Sequence, residues 1–168
     1  MSRRATRTWL ALAGFLALSY GVAAIGGAVT GPAIDAWYAG LARPPHTPPD
    51  WLFAPVWTVL YGMIAVAGWL AWRRTWDAGL GWTAAAHPLF LWGLQLVLNL
   101  GWTLLFFGLR DPMLAFVEIL VLLAAIALTI CAFQGVSRAA AWLLVPYFLW
   151  VGYAATLTFG IVQLNPSV

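Results

Sequence analysis

Gln95, Asn99, Trp102 and Phe106 recur at i, i+4, i+7 and i+11 inside one apolar run, so a helix carries all four on one face. Two amides and two rings on one stripe have two readings. One is a pocket wall, with π surface for stacking and donors for a carbonyl or carboxylate. The other is a hydrogen-bonded seam between helices, since an unpaired polar group in hydrocarbon costs roughly 2–7 kcal/mol. Trp57 and Tyr61 stand one turn apart in a second run. In the last run Pro146-Tyr147 precedes Trp150, with Ala154 one turn further on: an aromatic wall beside a notch, re-aimed by a proline that kinks or starts its helix. Taken singly, each of these aromatics either packs a core or meets a ligand. Glu118 is the acid placed well inside an apolar run, where a carboxylate either serves function or bonds a neighbouring helix. Two histidines and one cysteine, scattered, make no metal site of ordinary ligand count. Serine–histidine–acid sets, paired catalytic carboxylates and glycine-rich phosphate loops are missing, so hydrolytic and nucleotide chemistry lack machinery, and no cofactor is required.

The elements that position these residues are membrane spans. The chain of 168 residues is 64% hydrophobic and 8% charged, with twelve tryptophans and no lysine. Crossing a hydrocarbon core takes about 20 helical residues. Such runs occur at Trp9–Val29, Trp51–Trp72, Pro88–Gly108, Met113–Phe133 and Ala140–Val162. Their lack of alternation argues against a β-barrel, so the expected fold is an all-α bundle of five transmembrane helices in one domain. Long connections are expected at about 30–50 and at Arg73–His87. Arg3, Arg4, Arg7, Arg73, Arg74 and Arg138 fall on the N-terminal side; Arg43 and Arg110 fall opposite, with Asp35, Asp50 and Asp111. The positive-inside rule then sets the N-terminus in the cytoplasm of a bacterial inner membrane, with an outer membrane as the alternative. Arginines at a membrane boundary fit anchoring and lipid contact rather than nucleic acid. Ala13, Ala17 and Gly21 form a small-residue ridge, as Gly93 and Gly101 do on the third span; packing inside the bundle is the expected use and a dimer contact the other. Trp9, Trp37, Trp51, Trp72, Trp76, Trp82 and Trp142 lie near span ends, as interfacial anchors do.

Several of these residues fall into ordered motifs. Trp37-Tyr38-x-x-Leu41-x-Arg43-Pro44 is followed by Pro48-Pro49-x-Trp51 and Pro55-Val56-Trp57-Thr58-x-Leu60-Tyr61. Gln95-Leu96-x-Leu98-Asn99-x-x-Trp102, Phe106-Phe107-Gly108 and Pro146-Tyr147-x-x-Trp150 come next, and Gly26-Gly27-x-x-Thr30 lies ahead of them all. Over roughly residues 25–165 this pattern resembles the translocator protein family, TspO/MBR, also called the peripheral-type benzodiazepine receptor. The resemblance implies a five-helix bundle, a homodimer, and a pocket beneath the first connection. It implies ligands such as protoporphyrin IX or a haem-like tetrapyrrole, sterols in animal members, and benzodiazepine- or isoquinoline-type drugs. Carried over by motif, the pocket residues are Tyr38, Trp57, Asn99, Trp102, Trp150 and Ala154, with Tyr61, Gln95, Phe106 and Tyr147 as further candidates.

The expected function is a membrane receptor or sensor that binds tetrapyrroles and affects porphyrin level. The alternatives are light-dependent porphyrin degradation, with Trp57 and Trp150 as the catalytic pair, and porphyrin transport. Pro44, His46, Pro48 and Pro49 belong to a segment whose prolines fix φ and remove donors, giving a stiff lid between Arg43 and Asp50, with Asp50 as N-cap of the second helix. Three departures stand out. His46 replaces the family's usual tryptophan, Thr158 follows Leu157 where an asparagine is usual, and no basic residue follows Val151 and Tyr153 to complete the proposed sterol pattern. His46 as a haem-iron ligand is the less economical reading of one loop histidine.

Overall fold

The computed structural model describes residues 3–79 and 81–166, with side chains from 5–79 and 85–166. The described residues contain helices and no strand. The helices are α1 (Arg3–Ala36), α2 (Phe53–Asp77), α3 (Gly81–Thr103), α4 (Pro112–Gln134) and α5 (Arg138–Leu164). Five helices are long and apolar enough to span a membrane. A 3-10 turn at Tyr38–Gly40 follows α1, another at Asp50–Leu52 leads into α2, and a π turn at Leu104–Gly108 extends α3.

The spans lie where the apolar runs predict, but the connections are shorter. The first does not begin near residue 30: α1 continues through Pro32 to Ala36. One proline removes one backbone bond, and packing and neighbouring groups make up the loss within a membrane. The second is not Arg73–His87, because α2 runs to Asp77 and α3 starts at Gly81 with Pro88 inside it. Gly79, at φ +70°, makes the turn, and Leu80 lies outside the described residues. Pro146 likewise sits within a continuous α5 rather than starting it. Two starts are capped as elementary chemistry suggests. The Asp111 carboxylate accepts from Leu114 N–H at 2.9 Å with Pro112 in the first turn, and Ser137 Oγ accepts from Ala140 N–H at 3.4 Å. Asp50 does not cap α2; its carboxylate is engaged by Arg43 at 3.0 Å instead.

α4 and α5 pack along each other, α3 lies on α4, and α2 on α5, α1 and α3. Ile64, Trp92, Leu96, Ile119, Leu122, Leu144, Tyr147 and Val151 interlock in the shared core. Leu18, Val59, Val97, Val121, Leu128 and Leu149 point outward as the apolar coat. The peripheral helix is α1, with 11% of its span buried against 28–33% for the others. Its small-residue ridge does not serve internal packing: Ala13, Ala17 and Gly21 are exposed, and a Cβ on Gly21 would meet nothing within 4 Å. Helix α1 instead enters the bundle through Phe15, Ser19 and Gly26, on another face. Trp9, Trp51 and Trp142 are exposed as interfacial anchors should be. Trp72 is a core residue at 7% exposure, because α2 continues beyond it, and the side chain of Trp82 lies outside the described residues.

Gly68 marks the tightest junction. A Cβ there would stand 2.6 Å from Trp92 Nε1 and 2.9 Å from Phe15 Cδ1, while Trp92 Nε1–H donates to Ile64 O at 2.9 Å. Gly68→Ala is therefore expected to strain the α1–α2–α3 junction by about 1–3 kcal/mol, offset in part by the helix preference of alanine. Thermal unfolding in detergent should show a lower midpoint than the parent; an unchanged or higher midpoint would mean that the indole shifts freely.

Candidate ligand-binding site

On α5, Ala154, Leu157, Thr158 and Ile161 recur at i, i+3, i+4 and i+7, and on α1 Thr30 and Ile34 stand one turn apart. These two stripes face each other across a cavity of about 110 Å³. Trp102 at the end of α3, with Phe106 and Phe107 from the π turn, forms a third wall. Tyr38 and Asp50 from the connection, with Phe53 at the start of α2, close it. The indole of Trp102 stacks on Phe106 at 5.1 Å with 14° between planes, and Tyr38 meets the Phe106 edge at 6.2 Å. Burial raises the Tyr38 phenol above its ordinary pKa, with Arg43 opposing the shift, so Tyr38 keeps its proton at neutral pH. Trp102 Nε1 is buried and has no hydrogen-bond partner.

The connection over residues 37–49 lies on this cavity as a pinned flap, chiefly through α5. Asn165 Nδ2–H donates to Ala42 O at 2.9 Å, and Asn165 Oδ1 accepts from Ala42 N–H at 3.0 Å. Tyr153 O–H donates to His46 O. Pro44 is buried against Gly160, so closely that a Cβ on Gly160 would sit 2.3 Å from Pro44 Cγ. Within the flap, Thr47 Oγ1–H and N–H both donate to Pro44 O, and the Arg43–Asp50 ion pair ties the flap to the turn that leads into α2. Pro48 is half-buried and Pro49 exposed. The imidazole of His46 is exposed, tilted against Tyr153 at 6.2 Å.

The stripe on α3 divides along its length. Gln95 and Asn99 are buried away from the cavity: Gln95 Nε2–H donates to Trp92 O, and Asn99 joins two phenols. Tyr61 O–H donates to Asn99 Oδ1, and Asn99 Nδ2–H donates to Tyr147 Oη at 3.1 Å. Asn99 with the two phenols forms the seam, Gln95 bonds only within α3, and Trp102 and Phe106 form the wall. Of the other candidates, Tyr38 and Ala154 line the cavity, whereas Trp57, Tyr61, Tyr147 and Trp150 do not. Trp57 packs on Tyr61 and Tyr147, and Trp150 packs on Phe53, one residue behind the wall. Glu118 also lies elsewhere, facing Gly101 across α3 and α4, with both carboxylate oxygens buried and unbonded. Sequence reasoning missed the flap's anchors, Tyr153, Gly160 and Asn165. Tyr153 and Gly160 share a helical face at i, i+7, but periodicity cannot say what that face meets. Among the described residues no cluster of histidine, cysteine or acids could hold a metal.

The TspO/MBR family profile matches residues 15–164. The chain belongs to the TspO/MBR family. It is 40% identical over 159 residues to a tryptophan-rich protein TspO of Chlorobaculum tepidum, covering 94% of this chain and 97% of the relative. It is 39% identical over 123 residues to the translocator protein of Homo sapiens, covering 73% and 71%. A tryptophan-rich sensory protein of Cereibacter sphaeroides is 34% identical over 157 residues, covering 94% and 92%. As a TspO/MBR protein with five apolar helices, the chain is an integral, multi-pass membrane protein. Within the TspO/MBR frame, Thr158 lines the cavity, yet its hydroxyl donates to Ala154 O at 3.0 Å. That proton is already committed within α5.

Proposed function

We propose that this TspO/MBR protein is a membrane receptor or sensor for a flat, hydrophobic tetrapyrrole such as protoporphyrin IX. The observation that carries the reading is the stacked Trp102–Phe106 pair beside the small Ala154, with the indole N–H of Trp102 unpartnered. A planar macrocycle stacks on such rings, and a carboxylate or ring nitrogen supplies the missing acceptor. Support also comes from the relative named a sensory protein. The cavity of about 110 Å³ is well below the roughly 300–1,000 Å³ of small-molecule sites, so a macrocycle enters only when the flap lifts. Binding and flap opening are thus one event, which gives a receptor its conformational signal. The arginine distribution supports an orientation with the N-terminus in the cytoplasm and the flap on the opposite face.

Titration with protoporphyrin IX in darkness should quench tryptophan fluorescence saturably. A linear, non-saturating response would defeat the receptor reading. The enzymatic alternative has one structural point in its favour, the contact of Trp150 with the cavity residue Phe53 at 5.8 Å. Illumination of the complex decides it: a new porphyrin product, lost in Trp150→Phe while dark binding persists, would assign degradation rather than sensing.

A further inference from the structure

At the opposite end of the bundle from the flap, the start of α1 and the end of α2 enclose an open groove of about 680 Å³. Its lining is unusual for so apolar a chain: Arg7 and Arg73 stand among Trp9, Trp69, Trp72 and Trp76, with Asp77. The Arg7 guanidinium lies 3.6 Å from the Trp76 ring centroid, and that of Arg73 lies 5.4 Å from the Trp69 ring. Trp69 Nε1–H donates to Thr8 O at 3.1 Å, tying the two helices together below the charges. Asp77 holds Arg73 Nε at 3.5 Å. Each guanidinium therefore rests against an indole ring, Arg7 closely and Arg73 more loosely, which lowers the entropy lost on binding an anion.

Depth selects the anion. The apolar run of α1 begins at Trp9 and that of α2 ends at Trp72, both lining this groove, so it lies where headgroups meet hydrocarbon. Trp9 in its lining and Leu10 beside it are 60% and 68% exposed, giving apolar surface for acyl chains. A guanidinium fork matches phosphate oxygens. Arg74 lines an adjoining groove that shares Arg73 and Asp77, so the positive rim continues around α2.

We propose that the α1–α2 groove is a binding site for an anionic phospholipid, whose phosphate is taken between Arg7 and Arg73 while its acyl chains lie on Trp9 and Leu10. Asp77 is the built-in counterweight, orienting Arg73 while offsetting part of its charge.

The test uses full-length protein in neutral detergent, with lipid retention read by native mass spectrometry. The probes are phosphatidylglycerol, phosphatidylcholine of the same acyl chains, and inorganic phosphate. Phosphatidylglycerol should be retained in preference to phosphatidylcholine, and inorganic phosphate at equal concentration should fail to displace it. Each guanidinium–phosphate contact is a hydrogen bond to a charged group, so R7Q/R73Q should lose on the order of tenfold or more in retention. Asp77→Asn should raise retention by a few-fold, a gain that misfolding cannot mimic. Equal retention of the two lipids, full displacement by inorganic phosphate, or no gain in Asp77→Asn would each overturn the proposal.

Discussion

Gly160→Ala is expected to lift the flap from α5 without harming the bundle. The added Cβ would fall 2.3 Å from Pro44 Cγ and 3.3 Å from Pro44 Cβ, and a proline ring has no rotamer that clears it. Alanine within a helix is preferred over glycine by about 1 kcal/mol, so α5 itself gains. The strain falls on the flap, where overpacking of about 1–3 kcal/mol corresponds to an opening equilibrium raised on the order of tenfold or more. Amide exchange at Ala42, whose N–H is held by Asn165, should accelerate by that factor. Dark association of protoporphyrin IX should quicken in parallel, while the thermal midpoint holds. Unchanged Ala42 exchange would mean that the flap already moves freely and that the Pro44–Gly160 contact does not hold it.

The second large effect separates two residues that the sequence places on one stripe. Trp102→Leu removes the stacking face and the unpartnered indole N–H from the cavity wall, so porphyrin affinity should fall at least tenfold, with thermal stability lowered only modestly. Asn99→Leu should do the reverse. It leaves the buried phenol of Tyr61 without its acceptor and that of Tyr147 without its donor. Hydrogen bonds between membrane helices are worth about 0.6 kcal/mol on average and up to about 1.7, so the pair loses roughly 1–3 kcal/mol. Affinity should stay within about twofold, because Asn99 does not line the cavity. Parallel titrations and unfolding curves of the two variants check this. Equal losses of affinity in both would return Asn99 to the ligand site.

The proposed flap opening also accounts for so stiff a segment over residues 43–51. Prolines limit the shapes the segment samples when it is released, so an opened flap can reclose as a unit. His46 contributes its backbone carbonyl to the latch and leaves its ring in the open. A side chain at position 46 therefore meets the outer surface of the flap rather than the wall of the cavity.

Much of this protein is written locally. Apolar runs of about 20 residues admit only helices in a bilayer, because each backbone polar group must find its partner within the segment. The five spans, the aromatic stripe on α3 and the asymmetry of the arginines all follow from residue type and spacing. Asp111 and Ser137 as caps obey the same local chemistry. What periodicity cannot carry is the identity of the neighbour. Gln95, Asn99, Trp102 and Phe106 share a face, yet α2 and α5 fill the space beside the first two, while α1 and the flap leave a cavity beside the last two. Trp57 packs on Tyr61 and Tyr147 and Trp150 on the cavity residue Phe53, so neither lines the cavity, a placement that spacing alone cannot give. The ridge of Ala13, Ala17 and Gly21 faces outward because the bundle meets a different side of α1. The latch between Asn165 and Ala42 joins residues 123 positions apart, a pairing that only the folded bundle can create.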